Sequence, residues 1–166
     1  MNLLKSLLFF IVLLVLSRLI PHPPNFTPLI AGAIFLPFML KERTLIIGLP
    51  ILCFFISDLI IGFHSLMLWT YGAFLIIGLT VLNISKLNLK TLLSLSVASP
   101  SIFYIGSNFG VWLTAATYTK DLNGLIECYV LALPFYGNSL VSTVLFSLVF
   151  FLSRYLIIKR SKSKFI

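Results

Sequence analysis

The chain carries very little acid. Only four Asp and Glu stand in 166 residues, against twelve Lys and Arg, and charged residues of both signs make up 10%. Soluble domains carry about 25%. With 60% hydrophobic residues and a mean hydropathy of +1.12, an ordinary soluble globular protein is excluded and an integral membrane protein is indicated. In a soluble protein the net charge of +8 would suggest a nucleic-acid partner. No nucleic-acid motif accompanies it, and the basic loops of a membrane protein account for it. Cysteine is nearly absent too. Cys53 and Cys128 give neither a disulfide framework nor a paired metal spacing and read as small buried hydrophobes. The chain lacks a GxxxxGK[ST] phosphate loop, an HExxH helix and a GxSxG elbow, so ATP hydrolysis, zinc proteolysis and ordinary serine hydrolysis have no parts here. No cofactor and no bound metal is expected, and no internal repeat is visible.

What is present is a succession of greasy runs, giving an all-α, polytopic membrane domain over residues 1–166 with six spans. The first covers Met1 to Ile20; without a small-x-small site it reads as an uncleaved span rather than a signal peptide. The second is Leu29 to Leu40, the third Thr44 to Ile60 with Pro50 inside, and the fourth Leu66 to Leu82, opening on the interfacial aromatics Trp69 and Tyr71. The fifth is Thr91 to Leu113, containing Pro100, and the sixth Ser139 to Ile158, stopped by a basic tail. Between the last two lies the longest connection, Thr114 to Asn138, with Leu125 to Leu133 readable as a short re-entrant helix.

The segment Arg18 to Pro28, Arg-Leu-Ile-Pro-His-Pro-Pro-Asn-Phe-Thr-Pro, interrupts this pattern most sharply. Its prolines lack the N–H that a helix interior needs, so it is a stiff loop. The run after it would rise only about 18 Å as a helix, against roughly 30 Å of hydrocarbon. The loop is therefore expected to dip below the outer headgroups and to pack on the outer ends of helices three and five. Thr27 is then the N-cap and Pro28 the first helical residue. Backbone at that depth must be buried in protein or line a cavity, so a pocket is implied, floored by the positive end of helix two.

Charge sets the orientation. With a cytoplasmic N-terminus, Lys5, Lys41, Arg43, Lys86, Lys90, Arg154, Lys159, Arg160, Lys162 and Lys164 fall inside, and only Arg18 and Lys120 fall outside. Both termini are thus expected on the cytoplasmic side of the membrane. The outer face collects Asp58, Asp121, Glu127, His22, His64, Asn25, Trp69, Tyr71, Asn108, Trp112, Tyr118, Tyr136 and Asn138, an asymmetry that a passive membrane segment does not require. Arg18 and Asp58 lie nearest the hydrocarbon, where an unpaired charge costs at least about 2.5 kcal/mol, so they are expected to pair, with His22 or His64 nearby; snorkelling of Arg18 to the interface is the alternative. Ser101, Tyr104, Asn108 and Trp112 share one side of helix five. They read either as ligand-facing groups or as interhelical glue, the latter aided by Gly106 and Gly110 at small-xxx-small spacing. The candidate substrate-binding residues are Arg18, His22, Asn25, Asp58, His64, Asn108, Trp112, Tyr118, Glu127, Tyr136 and Asn138.

The strings from Arg18 to Pro28, Ser57-Asp58-Leu-Ile-Ile-Gly-Phe-His64, Ser107-Asn108-Phe-Gly-Val-Trp112, Gly124-Leu-Ile-Glu-Cys-Tyr129 and Pro134-Phe-Tyr-Gly-Asn138 resemble a family of small uncharacterised bacterial membrane proteins. More distantly, the size, the internal termini and the outer pocket resemble the substrate-binding S-components of energy-coupling-factor vitamin transporters. That likeness implies a vitamin-like ligand taken from outside and a partner coupling subunit with ATPases. The first helix lacks the Ala-xxx-Ala contact associated with docking to such a subunit, so a solitary mode stays open. The leading expectation is a membrane subunit that binds a small nutrient for uptake. Its rivals are a non-transporting envelope scaffold and an intramembrane enzyme.

Overall fold

A computed structural model describes residues 3–82, 84 and 88–163, and every regular element among them is helical. Seven α-helices run in order: α1 Leu3–Leu19, α2 Leu29–Phe35, α3 Arg43–Ile61, α4 Met67–Val81, α5 Leu89–Thr114, α6 Leu122–Leu131 and α7 Leu133–Ser163. A 3₁₀ turn, Leu36–Phe38, extends α2. Three segments are long and apolar enough to cross a bilayer: Arg43–Ile61, Leu89–Thr114 and Leu133–Ile157. The basic positions Lys86 and Lys164 lie outside the described residues.

Apolar side chains face outward as well as inward. Leu8, Phe9, Val12 and Leu16 on α1, Leu52, Phe55 and Leu59 on α3, and Val141, Leu145, Val149 and Leu152 on α7 are all exposed at helical spacing. A chain whose outer stripes are leucine, valine and phenylalanine has lipid as its natural solvent.

α2 sits at the centre. Its sequence, Leu-Ile-Ala-Gly-Ala-Ile-Phe, has no polar face, and all seven residues are buried. It packs on α3, α4, α5 and α7. A Cβ at Gly32 would come within 3.0 Å of Leu14, so the absent side chain is what lets α1 approach. Thr27 does not cap this helix, contrary to the sequence expectation. Pro28 holds the N-cap position without a side-chain bond, and its carbonyl accepts the Gly32 N–H at 2.7 Å. The loop before α2 is tied to α7. Asn138 Nδ2 donates to the Pro24 carbonyl at 2.9 Å, and Phe26 meets Phe146 edge-on at 6.1 Å.

Two further boundaries differ from expectation. α7 starts at Leu133 instead of Ser139, because Pro134 falls in the first turn, where its missing N–H costs nothing. α6 starts at Leu122 instead of Leu125. The Asp121 carboxylate accepts the Gly124 N–H at 2.9 Å as N-cap, and the Thr119 hydroxyl donates to it at 2.8 Å. These bonds, the Gly124 one foremost, hold the Asp121 carboxyl below its usual range. A Cβ at Gly124 would overlap the Thr119 carbonyl oxygen, so this cap needs glycine there.

The glycine pair expected to promote close packing does so. Gly110 lies under Trp69 of α4, where a Cβ would overlap the indole, and Gly106 lies under Ala73, where a Cβ would stand 3.4 Å from that of the alanine. At α5 and α7, by contrast, the hydroxyls of Ser96, Ser99, Thr143 and Ser147 are buried without a hydrogen-bond partner among the described residues. The bundle has two chemically different ends. Asn138 ties the start of α7 to the proline loop, whereas Arg154, further along α7, donates to the Phe38 carbonyl at 2.7 Å.

Candidate functional site

Arg18 stands in the last turn of α1 and Asp58 one turn before the end of α3. Gly62, at φ 112°, ends α3 in a conformation that favours glycine and turns the chain toward His64. Arg18 Nη1 donates to Asp58 Oδ1 at 2.7 Å, to the Phe54 carbonyl at 3.2 Å and to Ser57 Oγ. The guanidinium carbon lies 4.2 Å above the centroid of the Phe54 ring, a cation–π contact. From α4, Tyr71 donates its hydroxyl to Asp58 Oδ2 at 2.7 Å, and His64 Nε2 stands 3.9 Å from the same oxygen. The Asp58 side chain is 0% exposed and that of Arg18 15%. A carboxylate this deep is tolerable because a cation and a hydroxyl meet both of its oxygens.

Arg18 is only partly consumed by this cluster. All three of its protein acceptors are served by Nη1, and neither Nε nor Nη2 has an acceptor among the described residues. Arg18 also lines a partly open cavity of about 340 Å³. His22, Asn25, Thr27, His64, Thr70 and Ser139 add polar groups to the wall, and Phe54, Phe74 and Phe103 supply rings. The first turn of α2, Leu29 and Ile30, contributes to the lining. Asn25 has φ 62°, the sole non-glycine residue with positive φ among those described, and asparagine is among the few side chains that tolerate it. His22 Nδ1 lies 2.7 Å from the Pro23 carbonyl and donates to it, which leaves Nε2 free for other partners.

Five of the residues proposed from sequence thus converge: Arg18, His22, Asn25 and His64 on the cavity, with Asp58 behind its wall. Asn108 and Tyr118 line a second cavity of about 360 Å³. The others line neither. Trp112 gives its indole N–H to the Thr119 carbonyl at 2.9 Å, and Lys120 Nζ caps the end of α5 at the carbonyls of Trp112 and Ala115. Glu127 is exposed on α6. Asn138 holds Pro24, and Tyr136 stacks on Tyr104 at 4.7 Å and shares a 2.8 Å hydrogen bond with Ser101. Tyr104 donates to the Tyr129 carbonyl at 2.6 Å. The stripe on α5 is therefore mostly glue to α6 and α7, because those helices pack on that side. Asn108 is the member that reaches a cavity, with Nδ2 bonded to the Tyr104 carbonyl at 2.8 Å.

Sequence reasoning misses Tyr71, Ser57, Thr27 and Thr70 as members of this site. By sequence Tyr71 reads as an interfacial anchor. Nothing local signals its partner, which lies 13 residues earlier on α3, across the connection to α4. Among the described residues no group of three His, Cys, Asp or Glu is placed to hold a metal ion.

A family model described as a family of unknown function (DUF6580) matches residues 2–165. No curated protein and no solved structure matches the chain, so the distant likeness to S-components gains no support from these comparisons.

Proposed function

The chain belongs to that family of unknown function, and from the charged cavity we propose that it is a substrate-binding membrane protein that takes up a small nutrient, vitamin-like or a vitamin precursor. In this reading six segments cross the bacterial inner membrane: α1, the proline loop together with α2 and its 3₁₀ extension, α3, α4, α5 and α7. α6 is re-entrant, both termini are cytoplasmic, and the cavity opens to the outer face. The ten-to-two division of basic residues supports that orientation. A coupling subunit with ATPases is a candidate partner for release inward.

One observation carries the proposal. A partly buried arginine already committed to Asp58 keeps N–H donors without acceptors among the described residues, at the wall of a cavity of ligand dimensions. A purely structural ion pair would gain most by using the whole guanidinium. The test is to purify the protein from its native membrane into nanodiscs and identify co-purifying small molecules by mass spectrometry. The comparison is the charge-neutral variant Arg18→Gln/Asp58→Asn. A molecule enriched with the native protein and lost with the folded variant supports the reading. The same molecules from both, or none from either, would move the weight to a scaffold.

A further inference from the structure

The two cavities are neighbours. The walls of both include Asn25, Thr70 and Phe103, one residue each from the proline loop, α4 and α5. Their remaining linings differ in chemistry. The first holds Arg18 with its unspent donors, and both histidines. The second has no charged side chain. It is walled by groups such as Val111, Leu131 and Phe135, and its polar members are few: Asn108, Ser107 and Tyr118 beside the thiol of Cys128. Asn108 has spent its Nδ2 on a helix carbonyl, which leaves Oδ1 as an acceptor, and the Tyr118 hydroxyl stands beside the Cys128 thiol as its side-chain partner.

We infer that the two cavities form one bipartite site for an amphiphilic small molecule. An oxyanion head, carboxylate or phosphate, is held on Arg18, and an uncharged, largely apolar body with a polar edge lies in the lobe of Asn108 and Cys128. This deepens the proposed function and rests on it. The free Nε and Nη2 edge of a guanidinium presents two parallel N–H groups, the geometry that matches a planar oxyanion. Asp58 offsets the charge of Arg18 but occupies only the Nη1 side, so the donor geometry of the open edge is left for a ligand. Asn25, held in its left-handed conformation with its neighbour Pro24 tied to Asn138, stands at the junction and fixes where head meets body.

Cys128 makes the joint testable, since both cysteines are buried in the fold but Cys128 lines the second lobe while Cys53 lines neither cavity. The protein carrying Cys53→Ala, in nanodiscs, is titrated with phenylacetate, 4-phenylbutyrate and 6-phenylhexanoate, with the matching alkyl phosphates and primary amides, and with acetate and inorganic phosphate. Calorimetry reads binding, and the rate of Cys128 alkylation by N-ethylmaleimide reads occupancy of the second lobe. The longer acids or phosphates should bind and slow alkylation, acetate and phosphate should bind more weakly without slowing it, and the acid-over-phosphate ratio tells which head is preferred. Amides should bind about ten- to a hundredfold more weakly than the acids, the factor carried by a charge-assisted hydrogen bond. In Arg18→Gln/Asp58→Asn the acid and amide should become equal. Binding of acids that leaves alkylation unchanged would overturn the bipartite site while sparing the proposed function. Equal binding of acids and amides by the native protein would overturn the assignment of the head. Absence of binding by every probe would count against both readings.

Discussion

Removing Arg18 should destabilise the unliganded protein more than removing Asp58, although the two form one pair. The reason lies in their unequal burial. Asp58 is 0% exposed, and without Arg18 its only close hydrogen-bond donor among the described residues would be the Tyr71 hydroxyl. Arg18→Gln therefore strands a buried carboxylate, at a cost of about 3–5 kcal/mol. Asp58→Asn strands a guanidinium that is 15% exposed, lies over the Phe54 ring and already borders a cavity. That change should cost about 1–3 kcal/mol, the loss of a hydrogen bond between charged groups with partial rescue by water. The double variant strands no charge and should be no worse than Arg18→Gln alone, so the two effects should couple by at least the cost of Asp58→Asn, about 1–3 kcal/mol. The assay is reversible unfolding in mixed micelles with increasing dodecyl sulfate, followed by the fluorescence of Trp69 and Trp112. Single effects that add within about 0.5 kcal/mol, or a larger cost for Asp58→Asn than for Arg18→Gln, would refute the reasoning.

The same unfolding assay tests two packing claims. Gly110→Ala should cost about 1–3 kcal/mol because its Cβ would collide with the Trp69 ring, whereas Gly137→Ala, with nothing within 4 Å, should be neutral or stabilise by up to about 1 kcal/mol. Thr143→Val should be neutral or stabilising by about 1 kcal/mol, because it removes a fully buried hydroxyl that lacks a partner among the described residues and keeps the side chain's shape; a clear loss of stability would mean that this hydroxyl is bonded. At α6, the lowered pKa of the Asp121 carboxyl means that its cap is complete at neutral pH and is lost as pH falls through that depressed value. Amide exchange in α6 should accelerate across that acid range, and Asp121→Ala should abolish the pH dependence.

The charge pair is legible in the amino-acid sequence because so few ionisable residues compete for partners. Arg18 and Asp58 border long apolar runs, and the penalty for burying either one alone exceeds what any neutral neighbour offers. The glycine spacing on α5 is legible for a similar reason, since two small residues one turn apart permit one kind of contact. Helix termini are less legible. Pro134 is as consistent with a loop as with a first turn, and only the packing of Leu133 to Asn138 against α5 and the proline loop decides for the helix. Ser101, Tyr104 and Trp112 are ambiguous in the same way, because a periodic stripe shows that residues share a side but does not show which neighbour covers it.

The shortness of α2 and the presence of the cavity have one cause. A helix that crossed the full hydrocarbon thickness would need about 20 residues, and each further turn at the N-terminal end of α2 would occupy roughly 5.4 Å along its axis. That space is instead taken by the proline loop and by the cavity, whose lining includes Thr27, Leu29 and Ile30. The prolines keep the loop from winding into helix. Asn138 holds it against α7, and the Arg18–Asp58–Tyr71 cluster binds α1, α3 and α4 together beside it. Under the proposed function the cluster has two duties that pull in different directions. Closing the bundle favours full satisfaction of every polar group, whereas binding favours a donor left over. On that reading Arg18, with one nitrogen serving three protein acceptors and two nitrogens serving none among the described residues, serves the second duty at some expense to the first.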